Sequence, residues 1–388
     1  MPLCIYYFGT QGGKRMSKLK VVKPKRNSTS KGKVVFSKIT PQLVAQALVV
    51  LAICGVFIFA MPSLPLKPTT GQNSGYTGVI NLWIVDSFEG GSGSRASWFT
   101  KRSAKFETQH KGLFVCVTNL TEGQLQDKLQ SGQNFDLLCF SRGVGATVLD
   151  YLAPMDVDYG AILDNFAQSG RLNNTTYALP IYSGVYCLFA RSSQQKGDVV
   201  SNCLNTTFQR KVGKNTVTLQ PLVCGFAPYN NPLVALSMAG VVGKFTPDYT
   251  KSQYTAYEQF VANKTAVTLL GTQRDLYRLT KRVELGKIEQ LLFAPLPTYT
   301  DLVTYIGVNK NTQYTSACLS YVQYLLSDAV QQTVADISMF SVTNQNLYSN
   351  DWYTQCQDVL ARLHVPSLFA DQQSINQERQ TAQNTLNG

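Results

Sequence analysis

Residues 79–85 read VINLWIV, apolar at all but one position. A run of that kind suits a strand covered on both faces, as in the parallel part of an open α/β sheet; a strand with one wet face would alternate polar and apolar residues. The next sixty residues keep to that architecture. Ala96, Phe99, Ser103 and Phe106 recur at helical spacing, with Lys101, Arg102, Lys105 and Glu107 on the other side. A second strand is expected at 113–117. Thr121 with Gln124 three residues on then forms the capping-box pattern that opens a helix carrying Leu125 and Leu129. A third strand at 135–140 completes βαβαβ, and ligands of such sheets bind beyond the carboxyl ends of the strands.

Further along, a hairpin turning at Asn173-Asn174 is expected within 172–179, followed by a strand at 185–190, where the chain changes lobes. Helical spacing returns at 249–262 through Tyr254, Tyr257 and Val261. Extended segments are expected at 291–294, ahead of Pro295 and Pro297, and at 302–308. A helix then places Ala317, Tyr321, Tyr324 and Leu325 on one face, and the Gln-rich tail from Ala370 reads as a solvated helix or a frayed end.

The formal charge of +12 points to nucleic acid only if it is spread over the fold. It is not: residues 1–40 hold ten of the 35 basic residues and no acidic one, leaving 25 basic against 23 acidic residues, a net of +2, for the rest. A nearly neutral body lacks a phosphate-binding face, so nucleic acid is excluded as a partner. Behind the basic stretch, residues 43–61 (LVAQALVVLAICGVFIFAM) carry no charge and would span about 28 Å as a helix, close to the hydrocarbon thickness of a bilayer. The positive flank orients that helix with Lys and Arg in the cytosol, so everything after Pro62 is expected outside the cell membrane. Two alternatives to a retained anchor stay open. Lipidation at Cys54 is opposed by Ile53, where a small residue is needed; cleavage near Ala60 is opposed by Ile58. Met16 is a second candidate start. Seven cysteines follow the apolar run, with no C-x-x-C pair; Cys116 and Cys139 sit in strand-like runs and are expected in the core, and one bridge among Cys187, Cys203 and Cys224 is open. With only His110 and His364 in the chain, no metal site or other cofactor is expected.

The chemistry-bearing segments are loops at strand ends. Gly91 to Ala96 fits G-x-G-x-x-[GA], but four residues separate Asp86 from Gly91 and no acidic residue ends the second strand, so nicotinamide binding is not expected. The same loop offers backbone N–H groups at a helix start beside Asp86, Glu89, Ser94 and Arg95, which suits hydroxyls or anions. A matching loop, Ser141-Arg142-Gly143-Val144-Gly145, comes after the third strand. In the second lobe, Tyr182 and Tyr229 lie beside Pro or Asn at strand ends, where a flat apolar face with a polar tip fits a sugar ring.

The order and spacing of VINLWIVDSFEGG, FDLLCFSRGVG, LAPMDVD, TTYALPIYSGVYCLFAR, FVANKTAVTLLGTQRDL, LLFAPLPTYTD and VNKNTQYTSACLSYVQYLLSD, from about residue 78 to the mid-340s, resemble the extracellular solute-binding proteins of the maltodextrin-binding type. The resemblance implies a periplasmic-binding-protein-like α/β fold of two lobes, each a mostly parallel sheet flanked by helices, with ligand clamped between them and delivered to an ABC importer permease. Carried over by position, Glu89 and Arg95 belong to the first-strand loop, Ser141 and Arg142 to the third, Tyr182 to the hinge side, Tyr229 and Asn231 to the second lobe, and Thr272, Gln273 and Arg274 to the segment after VTLL. Trp352 is the second lobe's only tryptophan, so stacking there falls to Tyr and Phe. The expected layout is a basic cytosolic tail (1–40), a transmembrane signal anchor (41–63), a flexible tether (64–78), lobe I (79–181 and 304–335) and lobe II (182–303 and 336–388). The expected function is capture of a small polar ligand, a carbohydrate, without catalysis. Rivals are the same fold with a polyamine, metal chelate or peptide as cargo, or an anchored glycoside-processing enzyme, for which Asp86 and Glu89 are the only close carboxylate pair on the site loop.

Overall fold

The seven-residue apolar run lies in β1 (Gly78–Val85), paired in parallel with β2 (Leu113–Leu120) on one side and β3 (Leu137–Phe140) on the other. The structure is a computed structural model that describes residues 77–155, 162–205, 208–226, 230–343 and 345–388. The basic tail, the apolar run 43–61, nearly all of the tether and Tyr229 lie outside the described residues. Among the described residues no helix is long and apolar enough to cross a membrane.

Helix α1 (Arg95–Gln109) buries Phe99, Ser103 and Phe106 of the spaced set together with Trp98, while Ala96 is half-buried, and Ser94 caps it. Helix α2 (Glu122–Gln130) opens with the Thr121/Gln124 capping box in both directions. The turn between β4 (Arg171–Leu172) and β5 (Thr175–Thr176) holds Asn173 and Asn174 at φ 50° and 64°, left-handed values that Asn tolerates and a two-residue hairpin requires. Strand β6 (Leu179–Ser183) then joins the first sheet, whereas β7 (Cys187–Arg191), three residues later, belongs to the second.

The second sheet has the order β11-β7-β10-β9-β8, built from β8 (Phe208–Val212), β9 (Asn215–Cys224), β10 (Ala266–Gly271) and β11 (Leu291–Pro295) around β7. Helices α3 (Pro232–Met238), α4 (Gln253–Val261) and α5 (Gln273–Glu284) belong to this lobe. The chain returns through β12 (Val303–Val308), continues into α6 (Thr315–Leu326) and adds β13 (Phe340–Ser341), giving the first sheet the order β13-β6-β12-β3-β1-β2.

Three expectations are corrected. The sheets are mixed, not mostly parallel: β12 and β13 pair antiparallel with their neighbours, as do β7, β8 and β11. The chain leaves lobe I along β6 and returns along β12, so these neighbours run in opposite directions, as do β7 and β11 across the same crossings, and β8 pairs with β9 as a hairpin. Lobe I continues past residue 335 through β13, because Phe340 and Ser341 pair with Ser183 and Tyr182. Cys116 is exposed, since β2 alternates buried Leu113 and Val115 with outward residues; Cys139 is in the core.

Beyond β13, helix α7 (Asp351–Val359) packs on β11. The segment after it returns to lobe I, where Leu368 N donates to Ser169 O at 2.9 Å. Helix α8 (Gln372–Asn387) then buries Ile375, Ala382 and Leu386 and packs on α3, so the Gln-rich tail is docked. Gly145 marks the close approach of that returning segment: a Cβ there would stand 2.2 Å from Leu368 O. Gly145→Ala is therefore expected to cost about 1–3 kcal/mol in denaturant unfolding, whereas Gly123→Ala on exposed α2, with nothing within 4 Å, is expected to be neutral or stabilising.

Candidate functional site

Two crossings join the lobes side by side, Ser183 to Cys187 and Pro295 to Val303. Gly184 N donates to Leu302 O at 2.6 Å, Thr300 Oγ1 donates to Gly184 O at 2.8 Å, and Leu296 N donates to Tyr186 O at 2.8 Å. This two-ply hinge turns the loops after β1 and β3 toward those after β9 and β10, and the predicted residues fall into two sectors of the resulting seam.

In the first sector, Arg95 is buried and anchored within lobe I. Its Nε is 2.9 Å from Asp86 Oδ1, its Nη2 donates to Phe88 O, and its guanidinium lies 4.5 Å from the Phe88 ring centroid. Burial raises the Asp86 carboxyl above its ordinary range, and Arg95 opposes the shift. Ser94 accepts from Ser97 N at 3.3 Å as the helix cap. Glu89 reaches across to α5, where Arg278 Nη2 is 3.2 Å from its Oε2; the same guanidinium is 3.6 Å from Asp275 Oδ1. Arg274 Nη1 donates to Gly91 O at 2.6 Å, and Gln273 Nε2 donates to Ser338 O at 2.6 Å. Thr272 and Asp275 form the reciprocal cap of α5, Thr272 N donating to Asp275 Oδ2 at 3.0 Å. Burial pushes the Asp275 carboxyl up to about 7.

The second sector surrounds Arg142, which is 2% exposed. Its Nε donates to Ser367 O at 3.2 Å and its Nη1 to Tyr299 OH at 3.2 Å, and both terminal nitrogens grip the Glu378 carboxylate of α8, Nη1 at 2.8 Å. Asp301 accepts from Tyr186 OH at 2.6 Å and from Asn231 N at 2.9 Å. Burial raises the Asp301 carboxyl, and Arg142 pulls it back. Tyr186 and Tyr299 stack with centroids 6.4 Å apart. Ser141 Oγ, Asn230 Nδ2, and Asn231 Nδ2 and Oδ1 are buried with no hydrogen-bond partner among the described residues, as is Ser183 Oγ at the hinge.

Ten of the twelve predicted residues thus lie on the seam loops or in the first turn of the helices that follow them. Tyr182 does not: it is wholly buried in lobe I, edge-on to Trp98 at 5.8 Å, because it points to the helix side of β6. Tyr229 lies outside the described residues. Sequence reasoning missed Arg278, Asp275, Asp301 and Glu378. Arg278 was within reach, one turn after Arg274 on the same helix; Glu378 gave no signal, since its partner is 236 positions away.

No family model matches the sequence, and no curated protein matches it. Solved structures do. The chain is similar to the sugar-binding protein MalE from Xanthomonas citri (16% identity, 79% of this chain and 91% of that one, TM-score 0.56). It is similar to the GacH receptor of Streptomyces glaucescens, studied unliganded and with acarbose (14%, 80% and 93%, TM-score 0.55). An extracellular solute-binding protein from Staphylococcus aureus in complex with maltose matches over 80% of this chain and 97% of its own, at 11% identity and TM-score 0.51. At such identities the likeness is one of fold: the chain has the two-lobed α/β architecture of these binding proteins, as its segment order implied.

Two outcomes are expected at the seam. Arg278→Ala removes the partly solvated ion pair to Glu89, worth about 0–1 kcal/mol, and small-angle scattering of the unliganded protein should change little; a clearly larger radius of gyration would show that the pair holds the lobes together. Asp275 titrates higher folded than unfolded, so its contribution to stability is full below about pH 4 and is lost as pH rises through about 7. Asp275→Asn, which keeps the capping acceptor, should flatten the melting temperature against pH across that window, leaving the slope due to Asp86 and Asp301.

Proposed function

We propose that this chain is the extracytoplasmic solute-binding subunit of an ABC importer, capturing a small polar ligand, a carbohydrate, in the seam between its lobes and handing it to the permease. In this reading the signal anchor 41–63 holds the body at the outer face of the cell membrane, with the basic tail inside.

The observation that carries the reading is the set of buried, unpartnered neutral groups contributed by both lobes and the hinge: Ser141, Asn230, Asn231 and Ser183. Each such group costs about 1–3 kcal/mol when left unbonded, and ligand hydroxyls, which both donate and accept, would satisfy them. Three carboxylates of the seam already face a guanidinium, Asp86 that of Arg95, Glu89 that of Arg278 and Glu378 that of Arg142, and the Asp301 carboxylate is taken up by Tyr186 OH and Asn231 N. That balance favours a neutral polyhydroxy ligand over a polyamine, which needs free carboxylates. It also argues against glycoside hydrolysis, because Asp86 and Glu89 each hold a guanidinium and are not a free acid and nucleophile. Ligand binding would favour the closed arrangement through contacts made to both lobes at once.

The test is a thermal-shift screen of the 77–388 body against sugars, polyamines and peptides, followed by scattering with any hit. Maltose and acarbose head the panel because structural neighbours were studied with them. A sugar should raise the melting temperature, and Asn231→Ala should weaken it about tenfold, the equivalent of ~1.4 kcal/mol. Stabilisation by polyamines alone, or turnover of any glycan, would replace this reading with a rival.

A further inference from the structure

Cys187 opens β7, and Cys356 lies on the buried face of α7 with Tyr353 and Val359. Their Sγ atoms are 3.7 Å apart, and both residues are wholly buried. The two stand 169 positions apart, so the fold and not local chain geometry brings them together. The bridge left open by the sequence ran among Cys187, Cys203 and Cys224. In the structure Cys203 turns to Val200 O at 3.3 Å, and the sulfur facing Cys187 is that of Cys356.

We propose that Cys187 and Cys356 form a disulfide in the mature protein, fastening α7 to lobe II just beyond the hinge. The proposal rests on the extracytoplasmic placement, where oxidising conditions let disulfides persist. A disulfide-bearing oxidant supplies the chemistry. The thiolate of one cysteine attacks the oxidant's S–S bond, giving a mixed disulfide and one released thiolate; the second cysteine's thiolate attacks the protein sulfur of that bond, forming the Cys187–Cys356 bridge and releasing the second. The two protons given up by the cysteines end on the released thiols. Burial pushes the Cys187 thiol well above its ordinary value, and the same burial shields the finished bridge from reductants.

The bridge has a consequence for motion. Helix α7 carries the chain onto lobe II after β13, and Trp352 stacks on Phe293 of β11 with centroids 4.9 Å apart. A covalent tie from α7 to β7, the strand next to β11, makes that passage part of lobe II and leaves bending to the hinge.

The experiment uses the full chain, with its N-terminal segment, expressed in bacteria. Thiols are alkylated in whole cells before lysis, and peptides are mapped by mass spectrometry with and without reduction. The expected result is a linked Cys187–Cys356 peptide that appears only without reduction. A second arm refolds reduced protein with oxidised glutathione and maps the pairing. Labelling of exposed Cys116 in intact cells by a membrane-impermeant maleimide reports placement separately. Labelled Cys116 with Cys187 and Cys356 both alkylated as free thiols overturns the bridge while the placement stands. An unlabelled Cys116 with the pair formed only on refolding overturns the placement, and with it the bridge in the cell, while the geometry holds. Refolding that leaves the pair reduced, or joins Cys187 elsewhere, overturns the pairing. No substituted variant is needed, so failure to fold does not blur the outcome.

Discussion

Everything in this molecule depends on a short double crossing. Ser183 and Cys187 belong to different sheets, as do Pro295 and Val303, and the two connecting segments are hydrogen-bonded to each other through Gly184, Leu302, Thr300, Tyr186 and Leu296. The chain crosses to lobe II from β6 to β7 and comes back from β11 to β12, so outgoing and returning strands lie antiparallel side by side in each sheet, and both sheets become mixed. The shortness of the crossings presses the lobes' strand-end loops together. A Cβ on Gly184 would stand 3.0 Å from the Gln273 Cβ and 3.2 Å from that of Leu302, which shows how little space the hinge leaves.

Several ionised groups of the seam are paired, partly across the lobes, while the neutral groups Ser141, Asn230, Asn231 and Ser183 keep buried atoms without a partner, as does the Arg95 guanidinium at Nη1. The cross-lobe pair of Glu89 and Arg278 is partly solvated, with side chains 40% and 19% exposed, and pairs of that kind contribute about 0–1 kcal/mol. It therefore specifies how the lobes meet more than it holds them shut. A ligand that hydrogen-bonds Asn231 from one lobe and Ser141 from the other can act on that balance with the few kcal/mol a small polar molecule provides.

Legibility in the sequence tracked the range of the interaction. The βαβαβ start, the Thr121/Gln124 box and the Asn173-Asn174 turn are set by neighbours within a few residues, and all three are in the structure. The loops that meet at the seam were identifiable because strand ends in an α/β sheet face one edge. Tyr182 was read as a ligand platform because it comes after Pro180, but in a strand the face is decided by parity within the sheet, and its parity points to Trp98. Cys116 went the same way. The partners of the seam residues were not legible, since Arg142 with Glu378 and Glu89 with Arg278 pair residues 236 and 189 positions apart.

The C-terminal segment sets what opening requires. Leu368 is bonded to Ser169 of lobe I, whereas α8 buries Ile375, Ala382 and Leu386 and lies on α3 of lobe II. If the lobes separate, α8 goes with one of them. Leaving lobe II would expose three apolar side chains and break the bonds from Arg379 to Asn230 O and from Gln383 to Phe245 O. Staying with lobe II breaks only the grip of Arg142 on Glu378, whose side chain is 34% exposed and is rehydrated readily. The ion pair is the weaker attachment, so α8 travels with lobe II. Arg142, still held by Tyr299 and Ser367, is then the guanidinium that opening uncovers next to Ser141.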